Sequence, residues 1–347
     1  MENNKIAIAC QGGGSQTAFT AGVLKSFFEN DIHEKKQIVS LSGTSGGAIC
    51  ATLTWYAMIK SKQGDSLPIA QKLMKFWEDN STQDFYEEWY NDSLVGFLRF
   101  VGAGMLPRWE TSPSANYFSL MLPEITSFLP HGNFYDFQKL LKAHLDFDEI
   151  MSWNMPSSPV LLIGTADVLK GTFRKFSSLK GEITMETILA SAAVPSIFPA
   201  VRVGESSYWD GLFSDNPPTD ELLDKDLVGE DNFPDELWVI QINPKECRTV
   251  PTTPSDIEDR RNEMIGNQSL FHGLEKIELI NRFLKEGAFT EEYHSRYRPV
   301  QIRIIEMSER MQEKLDYVTK LDRNRHSIAE LIADGESQGN QFLQQIA

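Results

Sequence analysis

Three short stretches of this chain carry residue types that together could perform acyl transfer. The first is Ser42-Gly43-Thr44-Ser45-Gly46-Gly47. A serine at a sharp strand-to-helix turn projects its hydroxyl from a sheet edge, provided small neighbours clear the space around it. Gly43 and Gly47 stand at the spacing such an elbow needs, and Gly46 keeps a side chain out of the path of incoming substrate. The helix that follows presents its N-terminus toward developing negative charge. A purely structural reading competes on even terms here: Ser45 caps a helix and the glycines make a compact turn. Because a free hydroxyl is a poor nucleophile at neutral pH, a catalytic Ser45 also requires a base.

The second stretch is Gly12-Gly13-Gly14, between an apolar run and a long helical pattern. Without side chains the backbone can approach a ligand closely, and successive N–H groups can point into one small volume. No Lys-Ser/Thr pair closes the loop, so it is neither a phosphate-binding P-loop nor a dinucleotide fingerprint. The same donors could stabilise an acyl oxyanion beside Ser45; a structural turn is the alternative. The third stretch is Asp210-Gly211, after Ser206-Ser207-Tyr208-Trp209. An aspartate at a strand end can take a proton from serine if its carboxylate reaches the hydroxyl, and Gly211 permits the necessary turn. Taken alone, Asp-Gly is a common surface turn.

The elements that must position these residues follow from hydrophobic periodicity. Ile6–Cys10 predicts a strand and Gln16–Phe28 a helix, and then Ile38–Leu41 a strand, Gly43–Gly47 a tight turn and Ala48–Ile59 a helix. Strand, glycine turn and helix, twice over, predict an α/β layer architecture with a largely parallel sheet. Further strands are expected at Val160–Thr165, Thr172–Phe176, Ser207–Trp209, Leu237–Ile242 and Val300–Ile305. Helices are expected at Leu67–Trp77, Thr184–Ala193, Asp256–Lys285 and Ser327–Ile346, the last two interrupted or kinked in places. No linker or repeat divides the chain, so 1–347 is expected to form one domain. Residues 85–131 stand out as an aromatic, Gly- and Pro-containing insertion, read either as a lid and lipid entrance or as ordinary helical packing. Phe97, Leu98, Phe100, Val101 and Met105 are its candidate acyl contacts. Residues 250–347 form a helix-and-strand C-terminal elaboration.

Composition limits the partners. With 49 acidic against 33 basic residues and a net charge of −16, the chain is a poor candidate for nonspecific nucleic-acid binding. It has no general attraction to anionic membranes, so any peripheral lipid contact must be apolar or locally charged. No stretch suits a transmembrane helix. Met1–Cys10 lacks the layout of a secretory signal, so cytoplasmic residence is expected, with signal-less export as the variant. Cys10, Cys50 and Cys247 are too scattered for a disulfide framework or a metal cluster, and no metal or cofactor is expected.

In combination the three stretches resemble the patatin-like phospholipase family. The resemblance is carried by Gly12-Gly13-Gly14-Ser15-Gln16-Thr17-Ala18-Phe19-Thr20-Ala21-Gly22-Val23-Leu24, by Gly43-Thr44-Ser45-Gly46-Gly47, and by Ala190-Ser191-Ala192-Ala193-Val194-Pro195-Ser196-Ile197-Phe198-Pro199 shortly before Asp210-Gly211. It spans most of Lys5 to about Asn243. It implies a three-layer fold, with a mostly parallel or mixed sheet between helices, and a Ser45–Asp210 dyad without histidine. Gly13 and Gly14 would be oxyanion donors, with Gly12 shaping the approach. Substrates would be phospholipid or lysophospholipid acyl esters, cleaved through an acyl-Ser45 intermediate. The chain departs from the family in having Gln16 where a basic residue is frequent, Thr17 where glycine is, and Leu212 where a small residue is. Competing readings are an α/β-hydrolase esterase using His272, His294 or His326, an acyltransferase, and a weakly catalytic lipid- or protein-binding module.

Overall fold

The computed structural model describes residues 4–102, 135–153, 159–195, 198–247, 249–252, 254–290, 297–316 and 318–346. Its strands are β1 (Lys5–Cys10), β2 (Gln37–Gly43), β3 (Val160–Asp167), β4 (Thr172–Ser177), β5 (Val201–Val203), β6 (Ser206–Asp210), β7 (Glu236–Gln241) and β8 (Gln301–Glu306). They form one sheet in the order β5-β6-β3-β2-β1-β7-β8, with β4 also pairing β3. The segment β3-β2-β1-β7-β8 is parallel, while β4, β5 and β6 join antiparallel, so the sheet is mixed.

Strands covered on both faces read as continuous apolar runs, and β1 shows why. Ile6, Ile8 and Cys10 point into one core, and Ala7 and Ala9 into the other. The larger core is closed by helices α1 (Ala18–Glu29), α2 (Gly46–Lys62), α3 (Ile69–Asn80), α5 (Tyr135–His144), α6 (Met185–Ser191) and α8 (Arg325–Ile346). The smaller core is closed by α7 (Pro254–Lys285) through Leu270, Leu274 and Ile277. Helix α4 (Phe85–Gly102) lies at the periphery. This is the helix–sheet–helix layering expected from the sequence.

Two helices close on each other through glycine. A Cβ on Gly22 of α1 would stand 2.1 Å from the Ile332 carbonyl oxygen, and one on Gly335 of α8 2.1 Å from that of Phe19. The backbones of α1 and α8 therefore meet directly, and the C-terminal helix covers the helix that follows the glycine loop.

Most boundaries move by one or two residues from the sequence reading. Strand β5 and helix α5 were not expected, and α7 runs without the predicted interruption. Residues 103–131 of the insertion, Met105 among them, lie outside the described residues, as do the side chains of Leu98, Phe100 and Val101. No helix among the described residues is long and apolar enough to cross a membrane.

Candidate active site

The glycine loop follows the end of β1 and Ser45 follows the end of its parallel neighbour β2, so both emerge at the same edge. The route of Asp210 is less direct. Strand β3 pairs with β2 only as far as Ile163, opposite Gly43, and then continues to Asp167. Strand β6 pairs antiparallel with that overhang and runs back toward the elbow, so its last residue, Asp210, stands opposite Thr165. A carboxylate distant in sequence thus returns to the level of Ser45. Asp210 is the terminal residue of the strand itself, not of a turn beyond it.

Ser45 has φ 54° and ψ −130°, a left-handed conformation that a non-glycine residue holds only when its surroundings fix it. They do so by contact and by hydrogen bonding. A Cβ on Gly43 would lie 2.5 Å from the Gly47 carbonyl carbon, and one on Gly47 2.2 Å from the Cys10 carbonyl oxygen. The Ser45 N–H donates to Ser191 Oγ at 2.9 Å, and that hydroxyl donates to the Gly164 carbonyl at 2.8 Å. Thr44 Oγ1 donates to the Asp215 carbonyl at 2.5 Å, fastening β2 to the segment after Asp210. Gly46 acts differently from the sequence expectation. Its missing side chain does not clear a substrate path but admits Thr17, whose Oγ1 would lie 2.2 Å from a Cβ there, with the Gly14 carbonyl oxygen at 2.7 Å. Gly46 packs the elbow against the glycine loop.

In that loop Gly12 lies against Ser45: a Cβ would stand 2.9 Å from Ser45 Cβ. Its N–H is occupied, donating to Asn216 Oδ1 at 2.6 Å. The Gly13 and Gly14 N–H groups have no hydrogen-bond partner among the described residues. Gly14 has φ +56° and packs under the Lys320 carbonyl oxygen, 2.2 Å from where its Cβ would be. Gln16 is buried, and its amide donates to the Asp316 carbonyl at 3.1 Å and to Thr319 Oγ1 at 2.9 Å. In place of a cation, Gln16 supplies a tether to the C-terminal part of the chain. The Lys320 ammonium nearby bonds Asn243 Oδ1 at 3.2 Å, and burial lowers its pKa against the raising effect of Asp259 and Glu263.

Asp210 is fully buried. Its N–H donates to the Ala193 carbonyl at 2.9 Å, and its Oδ1 accepts the Leu212 N–H at 2.9 Å. Oδ2 lacks a partner of good hydrogen-bond geometry. Burial pushes the carboxyl up to about 7, and the adjacent Ser45 hydroxyl and the Leu212 N–H draw it partly back. A Cβ on Gly211 would meet the Gly164 carbonyl carbon at 2.8 Å, so glycine there lets the strand end approach β3.

Sequence reasoning missed Asn216 and the roles of Ser191 and Ala193. The last two lie in the quoted Ala190–Pro199 run, and their contacts need the fold: one holds the Ser45 backbone, the other that of Asp210. Asn216 sits only six residues past Asp210, in Asp-Asn-Pro-Pro, where an Asn-Pro pair signals a turn but not its target. His272 and His326 are exposed, and neither hydrogen-bonds Ser45 or Asp210; His294 lies outside the described residues. No cluster able to hold a metal occurs among the described residues.

Among solved structures, the chain is similar to VipD from Legionella pneumophila, with a TM-score of 0.42 and 16% sequence identity over 99% of this chain and 67% of that one. No curated protein matches the chain. The family described as patatin-like phospholipase matches residues 8–223, a span holding the glycine loop, the serine elbow and Asp210. With more than half its length inside that match, the chain belongs to the patatin-like phospholipase family.

Proposed function

We propose that this protein hydrolyses phospholipid or lysophospholipid acyl esters through a Ser45–Asp210 dyad, with residues 1–347 working as one catalytic domain. The observation that carries this reading is the fully buried Asp210 carboxyl beside Ser45, with a pKa of about 7. A base so tuned is partly ionised at neutral pH and can still return its proton. Ser45 Oγ attacks the ester carbonyl carbon as its proton passes to Asp210. The tetrahedral oxyanion takes hydrogen bonds from Gly13 and Gly14, whose N–H groups have no partner among the described residues. Collapse breaks the carbon–oxygen bond of the leaving alcohol, which receives the proton from Asp210 and leaves acyl-Ser45. Water then attacks, gives its proton to Asp210, and the fatty acid departs as that proton returns to Ser45.

The test is a substrate panel of phospholipid, lysophospholipid, neutral glyceride and short soluble ester, with Ser45→Ala and Asp210→Ala controls and a covalent serine reagent. Wild type should be labelled and should release fatty acid, whereas Ser45→Ala should do neither. Acyl transfer to an added alcohol in preference to water would redirect the reading to a transferase. Hydrolysis surviving Ser45→Ala would end it.

A further inference from the structure

Helix α4 is polarised the wrong way round for a surface helix. Phe85, Tyr86, Trp89, Tyr90 and Phe97 are each between 62% and 78% exposed, and Leu94 is 41% exposed. At about 3.6 residues per turn these six occupy one continuous half of the helix circumference. Polar residues on the other side tie the helix to the protein, Asn91 from a buried position. Asn91 Nδ2 donates to Asp322 Oδ1 at 2.7 Å, and its Oδ1 accepts the Arg323 N–H at 2.9 Å. Asp92 Oδ1 accepts from Asn324 Nδ2 at 3.1 Å, and Arg99 Nε pairs with Asp316 Oδ2 at 2.9 Å. Val95 alone among the apolar residues with described side chains on this helix is buried. An aromatic half-cylinder left in water, with the polar half used for docking, marks an interaction surface.

We propose that this face seats on a zwitterionic lipid–water interface; the inference rests on the reading that the substrate is a lipid ester. Three observations select that occupant. Tyr and Trp, which supply half of the face, combine an apolar ring with a polar tip and settle at headgroup depth. The six residues carry no charge, so the face itself offers an anionic headgroup no counter-charge. The chain as a whole carries −16, which repels anionic surfaces. The face is also tied to the active site. Asp316, the partner of Arg99, gives its carbonyl to Gln16, and Thr319 gives its hydroxyl, so the same C-terminal stretch grips α4 on one side and the glycine loop on the other. A protein held at the interface by α4 therefore holds Gly13 and Gly14 at a fixed height above it.

The experiment uses the full chain carrying Ser45→Ala, so that binding is read without turnover, sedimented with phosphatidylcholine vesicles. Adding Tyr86→Ser, Trp89→Ser and Tyr90→Ser together is expected to reduce partitioning at least tenfold. The same triple substitution on active protein should leave soluble short-ester turnover unchanged, which also reports intact folding, while turnover of dispersed long-chain phospholipid falls about tenfold. Trp89→Ser alone should move both lipid readouts the same way by a smaller factor. Partitioning unaffected by the triple and single substitutions overturns the proposal. So does binding confined to vesicles containing phosphatidylserine, or loss of a dimer in solution with no change in vesicle binding, which would assign the face to a second copy of this chain. Vesicle binding through this face by a protein that cleaves no ester would sustain the surface and refute the hydrolase reading alone.

Discussion

The pKa of Asp210 makes folding stability and catalysis depend on pH in opposite directions, and a single substitution separates them. The carboxyl rises from an ordinary 3.8 to about 7 because it is wholly buried, with only the Ser45 hydroxyl and the Leu212 N–H to support its charge. At about 1.36 kcal/mol per pH unit, holding it ionised in the folded state costs about 4 kcal/mol. The sign follows from proton counting. Between pH 4 and pH 7 the folded state keeps a proton that the unfolded chain has released, so stability falls as pH rises through that window and levels off above the folded pKa. Asp210→Asn removes the titration while retaining an acceptor for Leu212. Its stability relative to wild type should therefore climb by a few kcal/mol from pH 4 to pH 8, as measured by urea denaturation at closely spaced pH values. Ester hydrolysis behaves oppositely: log kcat/KM of the wild type should rise with slope one and flatten near pH 7, and Asp210→Asn should be inactive throughout. Parallel stability curves for the two proteins, or a rate that is flat from pH 5 to pH 8, would refute the assignment of Asp210 as a buried base.

Three further outcomes follow from the same geometry. Ser191→Ala leaves the Ser45 N–H without its partner and removes the tie to the Gly164 carbonyl, so it should cost about 2 kcal/mol of stability. It should also lower kcat on a soluble ester at least tenfold with little change in KM, read by steady-state kinetics. Asn216→Ala frees the Gly12 N–H now held at 2.6 Å and should lower kcat about tenfold while leaving labelling by a small serine reagent detectable. Gly47→Ala forces a methyl to within 2.2 Å of the Cys10 carbonyl oxygen, where backbone must move, and should destabilise by roughly 3 kcal/mol, visible as a fall in melting temperature.

What the sequence made legible was local. The β1–glycine–α1 and β2–elbow–α2 units are each encoded within about 25 contiguous residues by period, glycine placement and apolar run, and they emerge with the expected types and order. The sheet order was not legible, because β7 inserts beside β1 from far along the chain and nothing in Leu237–Ile242 names its neighbour. Asp210 was identified as a candidate, but its approach depends on β3 outrunning β2 and on β6 turning back along the excess, a matter of register between distant strands. Gln16 shows the converse limit. Its type excluded a positive charge, yet its actual duty, binding Asp316 and Thr319, lies in residues about 300 positions away.

The direct meeting of α1 with α8 has a consequence for the order of assembly. Residues 8–223, which carry the family match, contain Gly12–Gly14, Ser45 and Asp210, yet they lack β7, β8 and α8. Severed there, the sheet would end at β1 with an unpaired strand edge, and the α1 surface around Phe19 and Gly22 would lose its cover. Ser45 and Asp210 thus precede, in chain order, the elements that close the sheet and cover α1. The packing around the first helix is completed only when the C-terminal helix lays its glycines against it.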